Sequence, residues 1–205
     1  MKPITTIVGT MAPLPRANVD TDQIMPKQFL KRIERSGFGE FLFYDWARDS
    51  EGELDPGFVL NRPEYSDSVV LVTGPNFGSG SSREHAPWGL QDWGFEAVIA
   101  PSYADIFRNN CHKIGLLPVV LDQAVVSALS ELAAAPGTQI TIDLAAQTVV
   151  CGDLTAHFEI DEHVKDSLLA GLDHVGATLE HASAIDAFEA LRPAFKPSVS
   201  QTPTT

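Results

Sequence analysis

The order of short apolar runs and helical patterns in the middle of the chain is the feature that most constrains its fold. Three apolar strands alternate there with two helices, predicted at 68–73, about 87–93, 97–100, 104–110 and 116–121. Such a series implies parallel strands that are joined by right-handed crossover helices. The sequence therefore predicts an α/β fold built on a parallel sheet.

Other elements are predicted on either side of this series. The remaining strands are predicted at 4–11, 139–144, 148–151 and 157–160, and the remaining helices at 124–134, 163–170 and 184–190. The last three strands predict a second, smaller sheet. The tail 194–205 is polar and contains proline, which is typical of disorder. With 205 residues, of which 44% are hydrophobic, we expect a single domain over residues 1–193.

The segment from Gly74 to His85 directly follows the first strand of the series and is rich in glycine and serine. Its glycines let backbone N–H groups approach a ligand without interference from a Cβ atom. Ser81 and Ser82 offer hydroxyl groups, and Arg83 offers a planar fork that matches a carboxylate. Because open α/β sheets bind ligands at the carboxyl ends of their strands, the segment predicts an active-site loop for a small polycarboxylate.

A capping box is the alternative interpretation of Ser81 and Glu84, which have the Ser-x-x-Glu spacing of a helix N-terminus. With Ser81 as the N-cap, Pro87 would occupy the sixth helical position, where its missing N–H breaks a hydrogen bond. We therefore expect the helix to begin near Ala86, with both serines in the loop ahead of it. The dinucleotide fingerprint does not fit, since Arg83 stands where it requires a glycine. A Walker loop does not fit because Ser79 stands where Gly-Lys-Ser/Thr should begin, and no Gly-x-Ser-x-Gly elbow surrounds any of the three serines.

The cysteine content limits the cofactors that the chain can hold. It has two cysteines, Cys111 and Cys151, whereas an iron–sulfur cluster takes three or four and a zinc site usually needs a similar set. Both lie among apolar residues, so we expect them to be buried as small hydrophobic side chains. The chain is therefore predicted to bind no metal or cofactor by itself.

The charge of the chain limits its partners. A formal net charge of −13 disfavours both nucleic acid and anionic membrane surfaces. No stretch approaches the roughly 20 apolar residues of a membrane span, and the start lacks the apolar core of a secretory signal, so a cytoplasmic location is expected. Lys27, Lys31, Arg32 and Arg35, with Arg16 before them, are candidates for a positive rim around an anionic substrate. An ordinary solvated helix face is the alternative for these charges.

Four segments of the chain carry a resemblance to a known family. They are Asn18-Val-Asp-Thr-Asp-Gln-Ile24, Gly78-Ser-Gly-Ser-Ser-Arg-Glu-His85, Phe107-Arg-Asn-Asn-Cys-His-Lys-Ile-Gly-Leu-Leu-Pro118, and Leu168-Leu-Ala-Gly-Leu-Asp173 with the short matches after it. Together they resemble the family of 3-isopropylmalate dehydratase small subunits, in the aconitase superfamily. The Gly-Ser-Ser-Arg-Glu core is shared across the superfamily, while the Asp-Thr-Asp segment and the chain length are typical of the separate small subunit. The resemblance covers about residues 4 to 193.

This resemblance implies a fold and a reaction. The fold is a swivelling β/β/α domain like the mobile C-terminal domain of aconitase, here as an independent chain. The reaction is that of a hydro-lyase of leucine biosynthesis, which interconverts 2-isopropylmalate and 3-isopropylmalate through an unsaturated diacid. A [4Fe–4S] cluster, acting as a Lewis acid on the departing hydroxyl, is expected on a large partner subunit. The expected partners are thus this cluster-bearing subunit and a small dicarboxylate.

Residue roles follow from the positions that match the family motif. Ser81 resembles the catalytic base, which works as an alkoxide, while Ser82 and Arg83 resemble the groups that bind the substrate carboxylate. Because an unperturbed serine hydroxyl is a very poor base, N–H donors, Arg83 and the nearby cluster would have to stabilise its anion. Lys31, in the Phe29-Leu30-Lys31 segment, resembles part of a mobile recognition loop.

A second group of residues is expected to shape the loops rather than to react. Gly78 and Gly80 would give the serine loop its turns, and Asp20, Thr21 and Asp22 are turn and cap formers. The superfamily also uses a further arginine ahead of the serine loop, for which the candidates are Arg16 and Arg35.

Two other classes of function stay open. One is a free-standing anion-binding module without catalysis, and the other is a hydrolase with Ser81 or Ser82 as its nucleophile, although no matched histidine and acid accompany these serines. Within the hydro-lyases, related small subunits serve homoaconitate, citramalate or dimethylmalate. The sequence does not choose among these diacids.

Overall fold

The computed structural model describes residues 1–31 and 36–193 of the chain. Arg32, Arg35 and the tail 194–205, which is predicted to be disordered, lie outside the described residues. In the described part, no helix combines the length and the apolar composition that crossing a membrane requires.

Seven strands and eight α-helices make up the described part. The strands are β1 (Thr6–Leu14), β2 (Ser68–Thr73), β3 (Ala97–Ala100), β4 (Leu117–Val120), β5 (Gln139–Asp143), β6 (Thr148–Cys151) and β7 (Leu154–His157). The helices are α1 (Thr21–Ile24), α2 (Tyr44–Ala47), α3 (His85–Trp93), α4 (Asp105–Ile114), α5 (Gln123–Ala133), α6 (Glu162–Ala170), α7 (His174–Leu179) and α8 (Ala182–Ala190). Short 3₁₀ helices span Lys27–Lys31, Gly39–Phe41, Val59–Asn61 and Pro63–Tyr65. Of the α-helices, α1, α2 and α7 have no counterpart among the predicted ones, and the 3₁₀ helices have none either.

All seven strands belong to one sheet, in the order β4-β3-β2-β1-β5-β6-β7. The β1 to β4 half is parallel, which confirms the predicted crossover series, and the β5 to β7 half is antiparallel. The predicted second sheet is wrong because β1 joins the two halves. Its residues 6–10 pair with β5 on one edge, and residues from Thr10 to Leu14 pair with β2 on the other.

The strand predicted at 157–160 is also wrong, because β7 covers Leu154–His157. Gly152, with φ of +57°, allows a two-residue turn after which Leu154 pairs directly with Cys151. Such turns need positive φ, which glycine adopts without strain. Phe158, which the predicted strand includes, follows the end of β7 and is buried in the core.

The two faces of the sheet carry separate hydrophobic cores. One face packs against α3 and α4 and includes the buried aromatic residues Phe38 and Phe43. The other face packs against α5 and α6. Cys111 is buried in the first core and Cys151 in the second, as predicted, and both are free thiols. Burial raises the pKa of both thiols, which keeps them protonated.

Helix α3 begins at His85, close to the predicted start at Ala86. Its N-cap residue is Glu84, whose side chain makes no capping hydrogen bond. Pro87 therefore falls in the first turn, where the helix requires no N–H donor from it. Ser81 and Ser82 lie in the loop that precedes the helix, and the capping-box alternative is excluded.

Candidate active site

The serine loop, residues 74–84, connects the carboxyl end of β2 to the first turn of α3. It starts in close contact with the segment that follows β1, because the Gly74 amide donates to the carbonyl oxygen of Arg16 at 3.1 Å. A Cβ atom at Gly74 would lie 2.5 Å from that same oxygen. The first residue of the loop must therefore be a glycine for the two segments to meet.

Backbone hydrogen bonds hold the serine loop against residues 18–22, at the end of the sheet where parallel strands β1 and β2 terminate. The Gly78 amide donates to the Val19 carbonyl at 2.8 Å, and the Thr21 amide donates to the Ser79 carbonyl at 2.8 Å. The buried Thr21 hydroxyl donates to the Ser81 carbonyl at 3.0 Å. The hydrogen bond from Thr21 thus fixes the backbone of Ser81.

Gly78 and Gly80 adopt the left-handed backbone conformation, with φ of +75° and +89°. At Gly78 a Cβ atom would overlap Cγ of Phe107, whose ring is buried. Phe77 makes an edge-to-face contact with the same ring, and Tyr103 stacks on it. The loop therefore rests on an aromatic platform that is closed to any side chain at position 78.

Asp20 and Thr21 have structural hydrogen bonds. Asp20 is the N-cap of α1, where its Oδ1 accepts from the Gln23 amide at 2.8 Å and its own amide donates to Gln23 Oε1 at 2.9 Å. This reciprocal pair is a capping box. It fixes the segment that in turn holds the serine loop.

Asp22 forms an ion pair with Arg83. The Nη1 of Arg83 donates to Asp22 Oδ1, and Nη2 donates to Oδ2 at 3.1 Å. The arginine side chain is 16% exposed and the aspartate side chain 50% exposed. A guanidinium group has five N–H donors, so this two-pronged contact orients Arg83 and leaves further donors for a ligand.

Ser81 and Ser82 are exposed at the open edge of this arrangement. Among the described residues neither hydroxyl has a hydrogen-bond partner, so no histidine activates them as it would in a serine hydrolase. His85 contacts the rings of Phe38 and Trp88 instead. Burial lowers the pKa of His85, which favours its neutral form.

The other predicted site residues lie at the margins. Lys31 is exposed at the end of its 3₁₀ helix, whereas Phe29 and Leu30 of the same segment pack against the core. The guanidinium of Arg16 lies over the Trp46 ring, 4.3 Å from the centroid. The structure thus places Arg16 on an aromatic surface beside the start of the serine loop.

Two contacts that position the serine loop were not predicted. The Asn76 amide donates to Ser102 Oγ at 2.8 Å, and its side chain donates to Asn18 Oδ1 at 2.9 Å. Asn18 and Asn76 both have positive φ. Asparagine tolerates positive φ better than most residues. The sequence signal for these two contacts is therefore an asparagine in each of the two loop segments.

Three cavities of the described part lie away from the serine loop. A cavity of about 410 Å³ is lined by Met1, His112, Lys113, His163 and neighbouring residues of α4, α6 and α7. It contains no residue of the serine loop, and two further cavities of the described part also contain none. The serine loop instead offers the exposed residues Ser81 and Ser82 at the surface.

Comparison with known proteins gives a consistent set of matches. The model of the aconitase C-terminal domain matches residues 1–124, LeuD_N matches residues 129–162, and the model of the C-terminal domain of the 3-isopropylmalate dehydratase small subunit matches residues 175–198. The 3-isopropylmalate dehydratase small subunit of Acidothermus cellulolyticus is 52% identical over 199 residues, which cover 97% of this chain and 98% of that protein. The one from Halalkalibacterium halodurans is 54% identical over 193 residues, covering 94% and 100%.

A solved structure shows the same architecture. The crystal structure of 3-isopropylmalate dehydratase from Methanocaldococcus jannaschii superposes with a TM-score of 0.65 at 26% sequence identity. The match covers 90% of this chain and 99% of that one. Sequence and structure comparisons thus point to the same family over almost the whole length.

Proposed function

We propose, because this chain belongs to the family of 3-isopropylmalate dehydratase small subunits within the aconitase superfamily, that it supplies half of the active site of that hydro-lyase. The resemblance that the sequence motifs indicated is thereby confirmed. The enzyme interconverts 2-isopropylmalate and 3-isopropylmalate in leucine biosynthesis by removal and re-addition of water. The observation that carries the proposal for the site is the exposed serine pair of a tightly held loop beside a partly buried arginine.

The residues of this chain do not fit an iron–sulfur cluster. Its two cysteines are buried on opposite faces of the sheet. The described residues contain no group of three histidine, cysteine or acidic side chains that is suited to a metal ion. We therefore place the [4Fe–4S] cluster of the reaction on the large subunit, which makes that subunit a required partner.

Ser81 is proposed as the base that removes and returns the proton next to a substrate carboxylate. Its hydroxyl is exposed, while its backbone is held by the Thr21 hydroxyl, so the reactive oxygen has a defined position. The anion that Ser81 forms on deprotonation needs nearby positive charge. Arg83 and the N-terminus of α3, two and four residues further along the chain, supply it from this subunit.

Ser82 and Arg83 are proposed to bind a carboxylate of the substrate. Asp22 already accepts two N–H groups of Arg83 and so holds the guanidinium plane in one orientation. A substrate carboxylate can then use the remaining donors of Arg83 together with the exposed Ser82 hydroxyl. Lys31 is proposed as a second, weaker contact, because its ammonium group is a point charge without the arginine fork.

Reconstitution with the cognate large subunit tests this function. The purified chain alone should contain no stoichiometric iron or sulfide and should not hydrate isopropylmaleate. The anaerobically assembled pair should do so. A cluster bound to the isolated chain, or turnover without the large subunit, would contradict the split active site.

Homoaconitate and the other diacids serve as competing substrates in the same assay. The isopropyl diacid is the expected substrate, because the relatives reported above are 3-isopropylmalate dehydratase small subunits. A higher kcat/KM of the assembled pair for another diacid would move the assignment to that substrate while keeping the hydro-lyase mechanism.

A further inference from the structure

The last two helices, α7 and α8, carry apolar side chains that are uncovered in the described structure. Val175 is 66% exposed, Leu179 61%, Phe188 69% and Leu191 83%. Val175 and Leu179 are four residues apart and Phe188 and Leu191 three apart, so each pair lies on one side of its helical segment. Single exposed hydrophobic residues are common, but such a concentration marks an interaction surface.

Helix α8 has little packing that would stabilise it. None of its residues is buried, and among the described residues neither hydrophobic core includes a side chain beyond Leu169. Isolated helices shorter than roughly 12–15 residues are marginal in water. At 9 residues, α8 thus requires contacts that this part of the chain does not provide.

The charge around these helices selects among possible occupants. Residues 173–193 carry one guanidinium group, that of Arg192, and four carboxylates, those of Asp173, Glu180, Asp186 and Glu189. Two copies of the chain that met through this surface would place like charges opposite each other. A partner with an apolar centre and a basic rim is the complementary surface.

The family matches indicate why a small subunit needs such a surface. The aconitase C-terminal domain model ends at residue 124, whereas the model of the C-terminal domain of the small subunit matches residues 175–198, which include all of α8 and all but the first residue of α7. A domain that is tethered in one chain is held near its neighbour at high effective concentration. A separate chain has no tether and must gain affinity from added contacts.

We propose that α7 and α8 form a docking surface for the large subunit, whose facing surface is apolar at its centre and basic at its rim. The proposal rests on the proposed function, which requires a large subunit. Gly171, just before α7, accepts a hydrogen bond from the amino group of Met1, near the start of β1. The serine loop lies at the other end of that strand, roughly 25–30 Å away along 9 residues. Docking and chemistry are therefore separable.

The test is a titration of the cognate large subunit with a Leu179→Gln/Phe188→Gln variant. Glutamine retains helix propensity, and both replaced side chains are exposed, so the free variant should keep the circular dichroism spectrum and Tm of the wild type. Its Kd for the large subunit should rise about tenfold or more, as expected for central apolar contacts. At saturating large subunit, its turnover should equal that of the wild type.

The matched control is Leu132→Gln on α5, where the replaced leucine is 40% exposed, and its Kd should stay within about twofold of the wild type. Asp186→Asn/Glu189→Gln should weaken the salt dependence of binding.

An unchanged Kd for Leu179→Gln/Phe188→Gln, with a normal wild-type complex, would overturn the docking surface and leave the function intact. Wild-type self-association that this variant abolishes would assign the surface to a second copy instead. Failure of the wild type to bind the large subunit would overturn the proposed function itself.

Discussion

The serine loop and the C-terminal helices α7 and α8 are both exposed, but they are held in opposite ways. The loop is attached to residues 18–22 by several backbone hydrogen bonds and rests on the buried ring of Phe107. The cap of α7, in which Asp173 accepts from the Gly176 amide at 2.7 Å, lies within the helix and does not attach it to the rest of the molecule. The apolar side chains of the two helices face solvent.

This difference separates two kinds of unfinished surface. A loop whose backbone is fixed while its hydroxyl and guanidinium groups stay accessible is preorganised for a small ligand. A helix pair with uncovered apolar side chains and little internal support is suited to a protein partner. The following predictions test this comparison, from the largest expected effect to the smallest.

Ser81→Ala should separate chemistry from assembly most clearly. Loss of a general base costs about 10²–10⁴-fold in rate, so kcat should fall by roughly three orders of magnitude while the complex still forms. Steady-state kinetics of the assembled enzyme measure this, and Ser79→Ala in the same loop is the control. Wild-type turnover by Ser81→Ala would refute its role as the base.

Gly78→Ala should destabilise the loop end of the molecule. The new Cβ atom would clash with Phe107 at a position that already has φ of +75°, and we expect a loss of about 3 kcal/mol in the free energy of unfolding. Gly137→Ala is the matched control, because φ is +83° there but nothing lies within 4 Å. It should lose about 1 kcal/mol. Equal losses in denaturant unfolding would show that Phe107 is not a rigid platform.

Acidification should act on the opposite end, through His112. Burial, with the positive charge of Arg108, lowers its pKa from 6.5 to about 4, while Asp161 opposes the shift. The unfolded chain therefore binds the proton first as the pH falls, and stability is lost between pH 6.5 and about pH 4, with no further loss below. Allowing for partial exposure of the ring, the loss should be about 2 kcal/mol.

Chemical unfolding at a series of pH values measures this loss, with His112→Phe as the comparison. Phenylalanine keeps a ring but removes both the titration and a buried Nε2 atom that has no hydrogen-bond partner among the described residues. Its stability should change less between pH 6.5 and pH 4 than that of the wild type. Parallel pH profiles for the two proteins would assign the acid sensitivity to other groups.

Arg83→Lys should have the smallest effect of the four, on binding rather than on the chemical step. Lysine keeps the charge but cannot hold Asp22 and a substrate carboxylate with a planar fork, so KM should rise about tenfold. Separate kcat and KM values test this. Asp22→Asn should raise KM in the same direction, because it removes the group that orients the guanidinium. A fall in kcat alone would instead place Arg83 in the chemical step.

Much of the fold could be predicted because its signals are local. The strands at 68–73, 97–100 and 148–151 agree with the sheet residue by residue, since apolar β-branched runs between turn formers have few alternatives. The single sheet could not be predicted in this way, because it depends on which edges of β1 are used. Helices α1, α2 and α7 were missed because helices of four to six residues have too little periodicity to be recognised.

The sequence by itself determined the chemistry that this chain can offer: a loop with two serines and an arginine, too few cysteines for a cluster, and a motif shared with one family. These properties depend on residue type and spacing, which the chain carries without folding. Only the tertiary structure decided that Asp22 holds Arg83, that Thr21 fixes Ser81, and that α7 and α8 remain uncovered. These are contacts, or missing contacts, between segments distant in sequence, and they exist only once the packing of the sheet has brought those segments together.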